Sequence, residues 1–219
     1  MSELLKKEVL KKTEAFVREK LEGDSGHDWW HIYRVRNTAL TLAKREKADL
    51  FIVELAALLH DIADHKFHEG DETLGAKVAE KWLSSLFLPE EIILHVCEII
   101  RDVSFKGAKV ETPTKTVEGK VVQDADRLDA IGAIGIARAF SYGGFKSREL
   151  YNPDIPPIQH TSFEAYKNDN GHTINHFYEK LFLLKDRMNT DTAKRMAEER
   201  HFFMKEYVRR FLEEWKENE

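Results

Sequence analysis

The sequence predicts an all-α fold, a single-domain helical bundle of about eight or nine helices. Three observations carry this. Apolar residues recur at three- and four-residue steps along nearly the whole chain, the spacing that lines one face of a helix. No period-2 run of useful length marks a strand. No repeat of 20–50 residues marks a solenoid. At 219 residues, 42% of them apolar, the chain can bury a real core and is too apolar to stay disordered.

The elements follow in order. Residues 3–21 carry Leu4, Leu5, Val9, Leu10, Phe16, Val17 and Leu21 on a helical stripe, and Gly23 and Gly26 break it. A second helix runs from about His27 to Lys47, with Ile32, Val35, Ala39, Leu42 and Ala43 on one face. Asp49 can cap a third, almost wholly apolar helix, LFIVELAALLHDIAD. A fourth covers about 71–86. Pro89 suits the first position of a fifth, 89–103. After a polar loop at 104–115, Val117, Val121, Val122, Ala125 and Leu128 mark a sixth. GAIGIARAF either continues it or restarts it, and Gly132 and Gly135 would permit close packing. Residues 143–171, rich in Gly, Pro and Asn, read as an irregular loop or lid. Helices at about 173–187 and 190–217 close the chain, the last started by Thr190 or Asp191. The expected organisation is one domain over 1–219, with a core at about 24–140 and C-terminal helices, 172–219, packing on it.

Composition narrows the function. A formal charge of −5 argues against a nucleic-acid coat or a basic membrane binder. Cys97, the one cysteine, excludes an internal disulfide and a Cys-rich zinc finger. The N-terminal MSELLKKEVLKKTEAF is amphipathic and lacks the unbroken apolar stretch of a signal peptide. The longest apolar run, Leu55 to Leu59, is far too short for a membrane span. A cytoplasmic protein, monomer or homodimer, is the expectation.

The third helix holds the main anomaly. His60 and Asp61 stand at the end of a strongly apolar run. A buried ionised carboxylate without a partner costs several kcal/mol, so it is paired or bound to metal. Either the two side chains face one ion, or the His bonds a backbone carbonyl and the Asp marks a helix end. His31 lies beside the apolar Ile32 in GHDWWHIYRVRNTA, with His27 one turn earlier. In VVQDADRLDAIG, Asp126 and Asp129 flank the stripe of Val122, Ala125 and Leu128, which suggests an inward role for at least one.

Each within an apolar helix, His31, His60-Asp61 and Asp126 make an H…HD…D pattern. It resembles the signature of the HD-domain metal-dependent phosphohydrolases, and more closely their bacterial YpgQ-type (YedJ-like) subgroup. The matching segments are GHDWWHIYRVRNTAL, ALLHDIADHKF, VVQDADRLDAIGAIGIARAF and TINHFYEKLFLLKDRMNT, spanning about residues 24–215. The resemblance implies an HD-domain fold. It also implies that His31, His60, Asp61 and Asp126 ligate one divalent ion: manganese first, with cobalt, nickel, iron, zinc or magnesium as alternatives. Such an ion would activate water and polarise a phosphoryl oxygen.

By the same resemblance Asp64 orients or deprotonates the attacking water, or else marks the helix end; His65 and Lys66 follow it and could contact phosphate, or Lys66 is an ordinary solvated lysine. His27 and Asp28 either touch the nucleotide or support the ligands, Asp28 by capping its helix. His172, His176 and Lys180 form an i, i+4, i+8 stripe that either holds phosphate or is a polar helix face. Arg127, Arg138, Lys146 and Arg148 are further phosphate candidates. Trp29, Trp30 and Tyr33 could stack on a base or pack in the fold. His95 and Cys97 read as core residues. The implied substrate is a small phosphorylated nucleotide: a nucleoside triphosphate cleaved to monophosphate and pyrophosphate. A nucleoside 5′-monophosphatase, a cyclic phosphodiesterase and a non-catalytic metal or nucleotide sensor are the alternatives.

Overall fold

A computed structural model describes residues 1–21, 28–62, 74–103, 112–158 and 171–216. Among the described residues it has nine α-helices, one 3-10 helix and no strand. In chain order the helices are α1 (Glu3–Lys20), α2 (Trp29–Glu46), α3 (Leu50–Leu59), α4 (Leu74–Ser85), α5 (Glu90–Val103), α6 (Val117–Asp129), α7 (Gly132–Phe145), α8 (Thr173–Glu179) and α9 (Asp191–Lys216); the 3-10 helix, Leu181–Arg187, lies between α8 and α9. The chain divides into two compact units. The first is Met1–Ser104 with Thr112–Asp126, and the second is Phe105–Glu111 with Arg127–Glu219.

In the first unit α3 is central, because nine of its ten residues are apolar. Phe51, Ile52, Val53 and Leu55 to Leu59 are all buried. It packs on α1, α2 and α5, and α4 packs on α5. Asp49 caps it as the sequence predicts, accepting from the Phe51 and Ile52 N–H groups. α2 buries the predicted stripe of Ile32, Val35, Ala39, Leu42 and Ala43. At the edge of that stripe Arg36 bonds Glu14 of α1 at 2.9 Å and, through Nε, Glu54 of α3 at 2.8 Å. One guanidinium thus fixes three helices. Phe16 stacks on Trp82 at 4.1 Å, and the indole N–H donates to Thr13, which ties α1 to α4.

In the second unit α7, α8, the 3-10 helix and α9 surround an aromatic core. Phe177 is fully buried, with Phe140, Phe182 and Tyr207 at ring distances of 6.0–6.2 Å. The predicted helix at 173–187 is two pieces. At Lys180 the backbone leaves the helical region (φ −137°, ψ −60°), and the chain continues as 3-10 helix. The open question at 129–132 is also answered: α7 is a restart. Gly132 begins it at φ 78°, a left-handed conformation suited to glycine. α7 then runs to Phe145, so Gly143 and Gly144 lie in its last turn.

Gly135 shows why α7 needs small residues. A Cβ there would overlap the Ala130 carbonyl oxygen, a backbone atom with no room to yield. Gly→Ala inside a helix ordinarily adds stability through propensity. Here overpacking outweighs it, and Gly135→Ala is expected to destabilise by about 1–2 kcal/mol. A urea midpoint at or above wild type would contradict this.

His201 on α9 makes a second prediction. Its ring meets Phe182 edge-on at 5.3 Å, and its Nδ1 is buried without a hydrogen-bond partner. Burial, aided by Lys185 and Lys205 and opposed by Asp186, holds its pKa below the ordinary histidine value. In the unfolded chain the ring takes a proton at about pH 6.5. The folded state resists that proton, so stability is full above about pH 6.5 and declines as pH falls through the folded pKa. Urea midpoints recorded from about pH 7.5 to 5 should fall less steeply for His201→Phe than for wild type. Identical slopes would remove His201 as a cause.

Candidate metal centre

The first unit gathers His31, His60, Asp61 and Asp126. α2 begins at Trp29, with Asp28 as its cap; the Asp28 Oδ1 accepts the His31 N–H at 2.9 Å. This anchors His31 in the first turn. Its side chain is 1% exposed, beside the buried stripe that begins at Ile32. Of the two sequence readings of Asp28, capping is the observed one. His60 and Asp61 do not continue α3 as expected. The helix ends at Leu59, and a turn closed by the Ile62 N–H on the Leu59 carbonyl takes over. At this end His60 Nδ1 bonds the Ala57 carbonyl at 2.9 Å, satisfying a carbonyl that the terminating helix leaves open. Asp126 comes from α6, whose Val121, Val122, Ala125 and Leu128 are buried as predicted.

The donor atoms converge. His31 Nε2 is 3.3 Å from His60 Nε2, 3.4 Å from Asp61 Oδ2 and 3.5 Å from Asp126 Oδ1. His60 Nε2 is 3.6 Å from Asp61 Oδ2 and 3.9 Å from Asp126 Oδ1. His31, His60 and Asp126 each offer an atom within 4.8 Å of the other two, and Asp61 faces both imidazoles. Donors about 2.1 Å from one shared ion stand about 3.0 Å apart at a right angle and about 3.6 Å apart at 120°. The observed separations suit that arrangement better than direct hydrogen bonds.

The protonation pattern agrees. His60 Nδ1 faces a carbonyl, so it carries the proton and donates it. Nε2 is then left with its lone pair, aimed at the cluster. Two imidazoles and two carboxylates suit manganese, iron, cobalt, nickel or zinc. The imidazoles are buried, and Asp61 and Asp126 are partly exposed, 20% and 28%. The carboxylate side is therefore the side open to solvent.

The other predicted positions divide. Asp64, His65, Lys66 and His27 lie outside the described residues. Arg127 is buried and gives Nη1 to the Arg187 carbonyl, an anchor within the second unit. His176 and Lys180 are half-buried on and just after α8, also in the second unit. His172 is the cap of α8: Nδ1 accepts the Asn175 N–H, and Nε2 donates to the Ile155 carbonyl. The stripe that suggested phosphate binding thus includes a cap at one end. Asp129 pairs with Arg138 at 2.7 Å. His95 is half-buried and bonds Thr116 at 3.0 Å. Trp29 packs under the Arg18 guanidinium, 3.8 Å from its ring centre.

Two residues escaped the sequence reading. Asp124 is fully buried, about 200° around α6 from Asp126; its place between Gln123 and Ala125 gave no periodic signal. Arg34 is half-buried one turn beyond His31. The i+3 spacing was the available clue.

Known proteins place this geometry in a family. The HD domain family model matches residues 29–131. The chain is 45% identical over 188 residues to the uncharacterized protein YpgQ of Bacillus subtilis (strain 168), covering 84% of this chain and 82% of that one. An HD-superfamily hydrolase from Bacillus thuringiensis has a similar structure: TM-score 0.75, 45% identity, covering 97% of this chain and 100% of that chain. The crystal structure of Bacillus subtilis YpgQ in complex with ADP is also similar, with a TM-score of 0.73 and 38% identity over 95% of this chain and 98% of that chain. Its sequence, its helical fold and the relatives it matches show that this chain belongs to the HD-domain hydrolases, a family of metal-dependent phosphohydrolases.

Proposed function

We propose that this hydrolase cleaves nucleoside triphosphates, ribo or deoxy, to the monophosphate and pyrophosphate. In this reading His31, His60, Asp61 and Asp126 hold one divalent ion, manganese first among the candidates. The observation that carries it is the convergence of these four side chains, with the His60 tautomer fixed by the Ala57 carbonyl. The ADP complex of the relative YpgQ supports a nucleotide as the ligand. When bound, the ion supplies Lewis-acid polarisation of a phosphoryl oxygen and makes nearby water more acidic.

The chain's own groups do the rest. A water oxygen bonds to the α-phosphorus as the α–β anhydride bond breaks, and pyrophosphate leaves. Asp64 takes the proton from that water. By the family resemblance, Lys66, His65 and His27 are the groups assigned to offset the charge that builds on the phosphates. Asp61 and Asp126, on the open side of the cluster, set where the reacting phosphate can approach.

The test is product analysis. Purified protein is incubated with ATP, dATP, AMP and cyclic AMP and, in turn, Mn²⁺, Co²⁺, Ni²⁺, Fe²⁺, Zn²⁺ or Mg²⁺. The expected products are AMP or dAMP with pyrophosphate. Release of orthophosphate with a nucleoside from a monophosphate would point to a monophosphatase, and ring opening of a cyclic nucleotide to a phosphodiesterase. No turnover with any ion would overturn the enzymatic reading.

A further inference from the structure

Successive helical residues lie about 100° apart. Going around α2 from His31 on the side away from the buried stripe, Arg34 comes at about 60°, Trp30 at about 100° and Tyr33 at about 160°. The buried residues Ile32, Val35 and Ala39 occupy the other side. The surface of α2 leading away from the metal cluster therefore presents, in order, a ligand imidazole, a guanidinium and two aromatic rings. Exposure follows the same order: His31 is buried, Arg34 half-buried, Tyr33 43% exposed and Trp30 59% exposed.

The aromatic pair is the unexplained part. Trp30 and Tyr33 meet edge-to-face with ring centres 5.8 Å apart. Their neighbour Trp29 packs under Arg18 and also meets Tyr33 at 6.4 Å, so packing accounts for Trp29 and leaves Trp30 at the exposed end of the row. A large exposed indole is costly in water and adds nothing to the core. A nucleobase is the ligand that suits it, because every base has a flat face to stack. A guanidinium between the rings and the cluster suits a phosphate oxygen.

We propose that this face of α2 is the nucleotide-reading surface, with Trp30 and Tyr33 taking the base and Arg34 a further oxygen of the phosphate at the cluster. This inference rests on the nucleotide reading above and adds the residues that select a nucleotide over bare polyphosphate. It requires no preference among bases, since stacking tolerates all of them.

The test separates base from phosphate by binding, without turnover. Affinities for ADP and for inorganic pyrophosphate are measured by equilibrium dialysis with wild type, Trp30→Ala, Trp30→Phe and Arg34→Gln. Trp30→Ala should weaken ADP about tenfold, the size of one base–aromatic stack, and leave pyrophosphate unchanged. Trp30→Phe should recover most of the loss, and Arg34→Gln should weaken both ligands. Wild type binding ADP no tighter than pyrophosphate, or a Trp30→Ala loss that is absent or equal for the two ligands, would overturn the assignment. ADP binding with the expected pattern but no triphosphate turnover would leave this surface standing and remove the proposed reaction. Turnover with an unchanged KM in Trp30→Ala would do the reverse.

Discussion

Replacing His60 with alanine is expected to lower kcat/KM for nucleoside triphosphates by about a thousandfold or more, with the protein still folded. The side chain faces three other donors, His31, Asp61 and Asp126, at 3.3–3.9 Å. In the proposed reading His60 is one of four ligands, and its loss removes charge stabilisation worth several kcal/mol in the transition state. The same substitution leaves the Ala57 carbonyl without its partner, at a cost of about 1–3 kcal/mol. Asp61→Asn is therefore the companion variant, because it keeps the shape and removes the charge.

A second readout does not depend on turnover. An ion that binds only the folded state stabilises it by about 2.7 kcal/mol at a hundred times its Kd. Manganese should raise the Tm of wild type and have little effect on either variant. A variant that keeps wild-type activity, or the full manganese shift, would remove these residues from the site.

Phe177→Ala is expected to destabilise the second unit by about 3–5 kcal/mol, the usual range for a fully buried phenylalanine. Phe177 has no exposed surface and sits among Phe140, Phe182 and Tyr207. Its removal leaves a cavity walled by rings from α7, the 3-10 helix and α9, and these cannot all close inward. The effect reaches further because α8 also organises the irregular segment around Ile155 and Ile158. His172 and Asn175 both bond the Ile155 carbonyl, and Glu179 accepts the Ile158 N–H. Urea unfolding followed by near-ultraviolet circular dichroism would report the loss. Phe177→Leu should cost far less, since most of the volume remains. A loss under 1 kcal/mol for Phe177→Ala would mean that the core repacks around the gap.

The helices were legible because their signal is local. Stripes such as Ile32, Val35, Ala39 and Leu42 fix both the helix and its buried side within a few turns. Caps are local too, and Asp49 and Thr190 act where the sequence places them. The ends of elements were less legible. α3 stops at Leu59 although nothing in its apolar run forbids another turn; the His60 ring on the Ala57 carbonyl marks the end. The stretch at 173–187 keeps a helical pattern through Lys180, yet the backbone breaks there. The seam between α6 and α7 is set by Gly132 at positive φ and by the missing Cβ of Gly135.

The sequence by itself determined the fold class and singled out an imidazole and a carboxylate where an apolar helix should exclude both. Its H…HD…D pattern also named the family. Only the tertiary structure decided that His31, His60, Asp61 and Asp126 converge within 3.3–3.9 Å of the two imidazole nitrogens. It also decided that His172 serves as a cap, that Asp124 is buried, and that Trp30 stands out in solvent beside Arg34. The reason is physical. Periodicity records which side of one helix avoids water, a property of neighbours along the chain. Convergence and burial depend on how α2, α3 and α6 pack, and no spacing within a single helix contains that information.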